Sequence, residues 1–330
     1  MKFDVIIGNP PYQLSAGNEG ANAGYSRAIY HLFIDKAIEL KPNYITMITP
    51  SRWMTGNAEG VPKEWIRKMI DSDKFKIIHD FENADSVFSN VLIRGGVSYF
   101  LWDSQHNEAC SFHYKLEDGS ILQWKDKLNI FGSELIVRDP RFHSIVNKVI
   151  KKHPNIYKNT SNNFSSFVSP SHFYDKGGIF GTGWRDYKLE KDDVHNIKYY
   201  VPKSKNGVSY GWVSKKQIPK NDNTINMHRV YIPGTADPSG VGPVLGIPFY
   251  GEPNSVSSQS YLVIGYDVNN HNLTKEECEN IITYIKTKFF RFLVKVKQST
   301  QSAPRGVYEF VPIQDFSKSW TDKELYNKYE

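Results

Sequence analysis

The chain begins with a short apolar run that ends in two consecutive prolines, and this feature restricts its fold most. Residues 3–8 are rich in β-branched side chains and end in glycine, as in a buried β-strand. Asn9, Pro10, Pro11 and Tyr12 follow directly. Proline fixes φ and has no backbone N–H, so the Pro-Pro step ends the strand in a rigid loop. The pattern predicts a buried strand followed by a fixed turn that carries one amide and one aromatic side chain.

Helices and strands alternate over the first hundred residues. Residues 13–25 are rich in Gly, Asn, Ser and Ala and predict a loop. Pro42 ends the first predicted helix, and Pro62 stands at the start of the second. This alternation is typical of an open α/β sheet with crossover helices. The predicted strands are residues 3–8, 44–49, 76–81 and 96–102, and the predicted helices are about 27–40 and 63–72.

The pattern changes near Asp103. From there to about residue 270, short apolar runs are broken by Gly, Pro, Asn and Ser, which predicts a structure rich in strands and loops. A helix is predicted from about residue 275 to 288, because Thr274 and Glu277 have the spacing of a capping box. We therefore divide the chain into a first domain at 1–104 and a second at 105–330.

Charge differs between these two parts. Residues 1–104 contain 11 basic and 12 acidic side chains, a net charge of −1, whereas residues 105–330 contain 30 and 23, a net charge of +7. A basic region is the better candidate for contacting a polyanion. Aromatic residues make up 14% of the chain, which suits base stacking as well as core packing.

Cysteine content and hydropathy indicate the compartment. The chain has 2 cysteines, too few for a disulfide framework or a zinc cluster, so we expect a cytoplasmic protein without a metal site. No apolar run approaches the roughly 20 residues that span a bilayer, and the N-terminus does not have the pattern of a signal peptide.

Asn9-Pro10-Pro11-Tyr12 has a chemical interpretation. The amino group of adenine is a poor nucleophile, and an enzyme that methylates it needs acceptors aimed at both amino hydrogens. The side-chain oxygen of Asn9 and the carbonyl of Pro10 would supply them, in an arrangement organised for the transition state. Tyr12 would offer a flat face to a base extruded from the duplex. The alternative is a turn plugged by an aromatic ring.

Stretches at both ends of the chain resemble one enzyme family. Residues 1–103 resemble the second half of the catalytic domain of gamma-class DNA adenine-N6 methyltransferases, above all the fused, type IIG-like restriction–modification enzymes. The C-terminal tail, at residues 284–292, 310–316 and 320–322, resembles the end of their target-recognition domain. The matching stretches in the first part are residues 3–13, 29–33, 45–54 and 87–101.

The resemblance implies a fold, a cofactor and a partner. It implies the C-terminal half of a Rossmann-like methyltransferase sheet, with about four strands, followed by an α+β, loop-rich target-recognition domain. The methyl donor would be S-adenosylmethionine and the substrate double-stranded DNA. An aromatic residue near the last strand would stack on the second face of the flipped adenine; Phe100 matches that position, with neighbouring Tyr99 as the substitute.

The donor-binding motifs of that family precede the Asn-Pro-Pro-Tyr strand and are not found in this chain. We therefore expect an incomplete enzyme whose first strand has an exposed edge, and an upstream methyltransferase or nuclease segment as a possible partner. The alternatives are a DNA-recognition fragment without catalysis and an inert remnant. Glu39-Leu40-Lys41 has the spacing of a nuclease motif, but it lies at a helix end and is rejected.

Basic side chains in the second part are the candidates for DNA contacts, although each alone is more often a solvated charge. The candidates are Arg138, Arg141, Lys151, Lys152, Arg185, Lys215, Lys216, Arg229, Lys286, Lys288, Arg291, Lys295 and Lys297.

Overall fold

The structure is a computed structural model. It describes residues 3–15, 26–56, 58–89, 91, 93–133, 135–158, 160–202, 209–236, 244–298 and 300–330. The chain forms two compact units, Met1–Asn147 and Lys148–Glu330. No helix within these ranges has the length and apolar character needed to cross a membrane.

The first unit contains a mixed six-stranded sheet, a short hairpin and helices. Its strands are β1 (Val5–Gly8), β2 (Gln13–Ser15), β3 (Ser26–Ala28), β4 (Tyr44–Pro50), β5 (Phe75–Phe81), β6 (Val97–Asp103), β7 (Cys110–Lys115) and β8 (Ile121–Asp126). Its helices are α1 (Tyr30–Glu39) and α2 (Lys63–Ile70), and α3 (His143–Lys152) begins in it. The sheet order is β1-β4-β6-β5-β7-β8, and β2 pairs with β3.

Strand direction brings several loops to one edge of this sheet. β1 is parallel to β4 and β5 is parallel to β7, whereas β6 is antiparallel to both β4 and β5. The carboxyl ends of β1, β4 and β5 and the start of β6 therefore meet at one edge. We call these loops the carboxyl edge: residues 9–12, 51–56, 82–89 and 93–96. Ligands bind at such an edge in open α/β sheets.

One face of the sheet carries the core of the first unit. Both helices pack there, with Ile34 from α1 and Trp65 from α2 against Ile45, Ile78 and Phe100 of the strands. The apolar spacing along α2 places its buried residues on one side, as in an amphipathic helix. On the other face, side chains such as Tyr99 are partly exposed.

The prediction that β1 is a buried strand is wrong. Val5 is 48% exposed and Ile7 is 78% exposed. β1 lies at the end of the sheet order, and among the described residues it pairs with β4 alone, so no described strand covers its second edge, as the sequence predicted for this edge. An apolar run gives the same sequence signal in a central strand and in an uncovered edge strand, and tertiary context decides between them.

Two further differences concern element bounds. Residues 13–15, predicted as loop, form a strand that pairs with β3 from Gln13↔Ala28 to Ser15↔Ser26. β7 and β8 extend the first sheet beyond residue 104, although they were expected in the second domain. The compact units divide at 147/148, and the functional division at 104/105 stays a prediction.

The second unit has two small sheets and a helical end. One sheet has the order β10-β9-β13 and the other β12-β11-β14. Aromatic rings including Phe180, Tyr199 and Tyr231 form much of its core. The strands are β9 (Ile197–Tyr200), β10 (Tyr210–Val213), β11 (Arg229–Pro233), β12 (Phe249–Gly251), β13 (Ser255–Ser257) and β14 (Tyr261–Ile264). The helices are α4 (Lys275–Lys286), α5 (Lys288–Lys297) and α6 (Asp322–Tyr329).

The predicted helix at about 275–288 is confirmed as α4, and a second helix, α5, follows it. Thr274 and Glu277 form the expected capping box of α4. Thr287 then leaves helical geometry with ψ 150°, and its hydroxyl accepts a hydrogen bond from the N–H of Phe290, which caps α5. α5 was not predicted from the sequence.

Candidate active site at the carboxyl edge

The loop after β1 presents one amide and one aromatic ring. Asn9 and Pro11 are exposed, Pro10 is buried, and Tyr12 is half-buried with its ring against the core. The carbonyl of Tyr12 accepts a hydrogen bond from the N–H of Ile29 at 3.1 Å, which ties the loop to the start of α1. Burial raises the pKa of Tyr12, so its phenol stays neutral.

Two acceptors of this loop are free. Within the described part of the chain, neither the side chain of Asn9 nor the carbonyl of Pro10 takes part in a hydrogen bond. Both lie at the end of a strand, next to two proline rings that restrict the backbone. The loop therefore offers two fixed oxygen acceptors to a ligand that approaches the carboxyl edge.

A buried ion pair supports the neighbouring loops. Asp80 is fully buried near the end of β5; its carboxylate accepts hydrogen bonds from Ser51 Oγ at 2.5 Å and from Arg138 Nη1 at 3.0 Å. Arg138 also donates to the carbonyl of Gly95 and lies over the ring of Tyr114. Burial raises the pKa of Asp80, and the charge of Arg138 opposes that rise.

The aromatic residue chosen from the resemblance is in the wrong place. Phe100 is 2% exposed and packs edge-on against Phe75 at 5.1 Å between ring centroids, so the structure contradicts a stacking role for it. Tyr99 is 39% exposed and stacks on His79 at 4.7 Å, on the face opposite the core. Alternation along β6 explains why the two neighbours face opposite sides.

Phe88 is an aromatic residue that the sequence reasoning passed over. It is half-exposed in the loop between β5 and β6, at the carboxyl edge, and stacks on no other described ring. Its sequence signal was available, since an aromatic residue in a loop that follows a parallel strand lies at the edge where ligands bind.

The structure separates the basic DNA-contact candidates into exposed and buried groups. Arg229 is 0% exposed and bonds to Tyr174 and to the carbonyl of Met227, and Arg138 is paired with Asp80, so a direct phosphate contact is contradicted for both. Arg291 is partly buried and donates to the carbonyl of Leu245.

The second unit has 25 basic and 17 acidic residues, a net charge of +8. Between residues 185 and 288, the DNA-contact candidates with exposed side chains are Arg185, Lys215, Lys216, Lys286 and Lys288.

The described residues do not fit a methyl donor. A donor site needs a loop whose backbone is open to a ligand, and the loop between β4 and α2 is the glycine-containing candidate beside β1. Gly56 there caps the preceding 3-10 turn with φ 71°. At Gly60, an added Cβ would lie 3.0 Å from the backbone nitrogen of Ala28, so that glycine serves packing against β3. Within the described ranges, no cluster of three or more His, Cys, Asp or Glu is placed to hold a metal ion.

Part of the first unit is similar to known methylases. Residues 1–88 match the model of the Eco57I restriction-modification methylase family. A 106-residue segment is 42% identical to an uncharacterised adenine-specific methylase of Mycoplasma pneumoniae. This segment is 32% of the chain and 25% of that relative, so the chain spans well under two thirds of the curated protein that it matches.

The chain is also similar to solved structures of restriction–modification enzymes, with low TM-scores. The type IIG restriction endonuclease BpuSI has a TM-score of 0.35 and 11% identity, over 99% of this chain and 48% of that one. The type IIL enzyme MmeI in complex with DNA has a TM-score of 0.43 and 10% identity, over 92% and 44%. These scores are too low to support an inference about this chain.

Proposed function

We propose that this chain is the catalytic-loop and DNA-recognition part of a restriction–modification methyltransferase that methylates the N6 amino group of adenine in double-stranded DNA. The pair of free acceptors on Asn9 and Pro10 carries the proposal, together with the family match over residues 1–88. Hydrogen bonds to both amino hydrogens favour a pyramidal nitrogen whose lone pair attacks a methyl sulfonium. The loop is rigid before the substrate binds, so this stabilisation needs little reorganisation.

The target atom is inaccessible in a stacked duplex, so the adenine must leave the helix. Tyr12 would support one face of the extruded ring, because its own ring is half-exposed and held against the core. Phe88 is our candidate for the second face, in place of Phe100. The second unit, with its net charge of +8, would bind the duplex.

S-adenosylmethionine is the donor that the resemblance implies, and the described residues do not hold it. The donor site would come from an upstream methyltransferase segment beside the open edge of β1. If that segment does not exist, a DNA-recognition protein without catalysis is the second candidate, favoured by the basic second unit and by the poor fit of a methyl donor.

The test is methyl transfer from radiolabelled S-adenosylmethionine to mixed-sequence duplex DNA, with this chain alone and co-expressed with its upstream coding region. We expect activity in the co-expressed sample and none after Asn9→Ala. Asn107→Ala changes an exposed asparagine away from the carboxyl edge and is the matched control. Full activity of Asn9→Ala would refute the catalytic role, and duplex binding without any transfer would favour the second candidate.

A further inference from the structure

Arg52 lies in the first turn after β4, beside the Asn9–Tyr12 loop. β1 and β4 are parallel and in register from Val5↔Tyr44 to Gly8↔Met47, so the segments that follow them leave the sheet side by side. Arg52 is partly exposed within the 3-10 turn Ser51–Thr55. A cation at this position would meet whatever the acceptor loop binds.

The backbone around Arg52 is fixed on both sides. Before it, the N–H of Ser51 donates to the carbonyl of Gly96 at 3.0 Å, and the hydroxyl of Ser51 donates to buried Asp80. After it, the hydroxyl of Thr55 donates to the carbonyl of Arg52 at 2.9 Å. The side chain therefore starts from a position that the fold sets in advance, as a binding site requires.

Arg52 has no acidic partner among the residues that the structure describes. Its Nε is buried and lacks a hydrogen-bond partner in the same part of the chain. Arg138 and Arg141, by contrast, are paired with Asp80 and Asp139. A guanidinium that is partly buried and unneutralised is costly, unless an anionic ligand completes it.

Tyr30 is the second unpartnered group. It is 3% exposed, and its hydroxyl has no hydrogen-bond partner in the described structure. Burial raises the pKa of Tyr30 and the nearby charge of Arg52 opposes that rise, so the phenol stays neutral and does not neutralise the arginine. Tyr30 follows Ile29, whose N–H donates to the carbonyl of Tyr12, so Tyr30 adjoins the acceptor loop.

We propose that Arg52 binds the phosphodiester group next to the extruded adenine. The proposal rests on the proposed function, because it takes the nucleotide at Asn9 as the ligand. A guanidinium offers two parallel N–H donors that match two phosphate oxygens. The carboxylate of a methyl donor presents the same chemistry, and the test separates the two sources.

The test measures binding of a fluorescent single-stranded pentanucleotide with one central adenine among thymines to the full chain. In a second probe, an uncharged methylphosphonate replaces the phosphodiester on either side of the adenine. We expect one of these replacements to weaken wild-type binding about 10- to 100-fold, the range for a charge-assisted hydrogen bond. In Arg52→Gln, binding of the unmodified probe should be weaker by the same factor, and the replacement should have no further effect.

Controls separate binding from folding. Arg67→Gln removes an exposed arginine from α2 and should leave the replacement effect unchanged. Arg52→Lys keeps the positive charge but lacks the two parallel N–H donors, and it should recover part of the affinity that Arg52→Gln loses. Thermal unfolding of each variant shows whether it is folded, and the methylphosphonate effect on the wild-type chain needs no variant at all. No effect of either replacement on the wild-type chain would overturn the subsite.

Two further comparisons separate this inference from the proposed function and from the other anion. If Arg52→Gln weakens binding of S-adenosylhomocysteine but not of 5′-methylthioadenosine, and leaves the pentanucleotide unaffected, the anion is the donor carboxylate and the proposal fails. Loss of preference for adenine over thymine at the centre in Asn9→Ala supports the proposed function. If the wild-type chain shows no preference for adenine, but the effect of the methylphosphonate still depends on Arg52, the phosphate subsite is supported and the adenine pocket is refuted.

Discussion

Arg138 Nη1 lies 3.0 Å from Asp80 Oδ2, and this ion pair joins the segment after β8 to the end of β5. Asp80 also holds Ser51, so one carboxylate fixes two of the loops at the carboxyl edge. Through the same guanidinium, the carbonyl of Gly95 is tied to the pair at 3.2 Å. The loop that contains Arg52 and the segment that follows Phe88 are thus both hydrogen-bonded to the buried Asp80–Arg138 ion pair.

Arg138→Met should therefore destabilise the chain strongly. It leaves the Asp80 carboxylate buried without its cation, which costs about 3–5 kcal/mol. Chemical denaturation measures the loss. Arg141→Gln is the control, because the Arg141 side chain is 58% exposed, so solvent screens its ion pair with buried Asp139 and the loss should be smaller. Equal losses for the two variants would contradict a special role for the Asp80 pair.

Gly96 should tolerate no side chain. Its φ is +86°, and an added Cβ would lie 2.1 Å from the carbonyl oxygen of Phe81. Gly119 has the same φ of +86° but open space around it, so Gly119→Ala isolates the backbone strain, about 1–2 kcal/mol. We expect Gly96→Ala to cost more than about 3 kcal/mol in the free energy of unfolding. Similar losses for the two alanine variants would show that the close approach to Phe81 is unimportant.

Tyr12 should act through its ring and not through its hydroxyl. The hydroxyl has no hydrogen-bond partner among the described residues, whereas the ring packs against the core and would stack on adenine. Tyr12→Ala should weaken binding of the adenine pentanucleotide by about 1–3 kcal/mol, the usual value of one stacked base. Tyr12→Phe should bind as the wild-type chain does. A large loss in Tyr12→Phe would point to a hydrogen bond from the phenol in the complex.

Stability should fall in mild acid because of a histidine stack. His79 stacks on His113 at 4.3 Å; burial, together with the charge of His113, lowers the pKa of His79 from its ordinary 6.5. A lowered pKa means that the folded chain binds fewer protons than the unfolded chain. The stability that neutral His79 contributes to the folded chain is fully present above pH 6.5 and is lost as the pH falls below that value. Thermal unfolding from pH 8 to pH 5 should show the fall, and His79→Gln should reduce it. Identical profiles for the two proteins would contradict this origin.

The open edge of β1 should promote self-association. Ile7 is 78% exposed on that strand, and an unpaired apolar edge is a template for another strand. Ile7→Lys should lower the fraction of oligomer in sedimentation experiments. Leu189→Lys is the control, since Leu189 is 67% exposed but lies outside the strands. If both lysine variants reduce association equally, the effect comes from general hydrophobicity and not from the edge.

Local patterns predicted β1, β4, β5 and β6 of the first unit, but not β2, β3, β7 and β8. The prolines around residues 42 and 62 bound α1 and α2, and β4, β5 and β6 lie within a residue or so of their predicted limits. Side-chain alternation could also have separated Phe100 from Tyr99, because neighbours on a strand face opposite sides. The sequence did not indicate which of the two sides the helices cover, since that depends on contacts between distant elements.

Burial of charged and apolar groups was the weaker part of the prediction. Arg229 reads as a surface cation, yet the hydroxyl of Tyr174 and the carbonyl of Met227 accept its hydrogen bonds inside the core. Ile7 reads as a core residue, yet no described strand lies beyond it. Both errors have one origin, because partners from distant parts of the chain decide burial. The Asn9–Tyr12 loop could be predicted as a candidate site because all its groups are consecutive in the sequence.

In the described part of the chain, β1 is hydrogen-bonded to a neighbouring strand along one side, and this has a consequence for amide hydrogen exchange. We expect backbone amides that point to the open edge to exchange at close to the rate of an unfolded peptide, and those bonded to β4 to report the opening of this ladder. The position of Asn9 therefore depends on the attachment of β1 to β4 on one side of the loop and on the Tyr12–Ile29 hydrogen bond on the other. A segment that adds a strand to the open edge would slow exchange through the whole of β1, and thereby lengthen the time for which the acceptor loop is correctly placed.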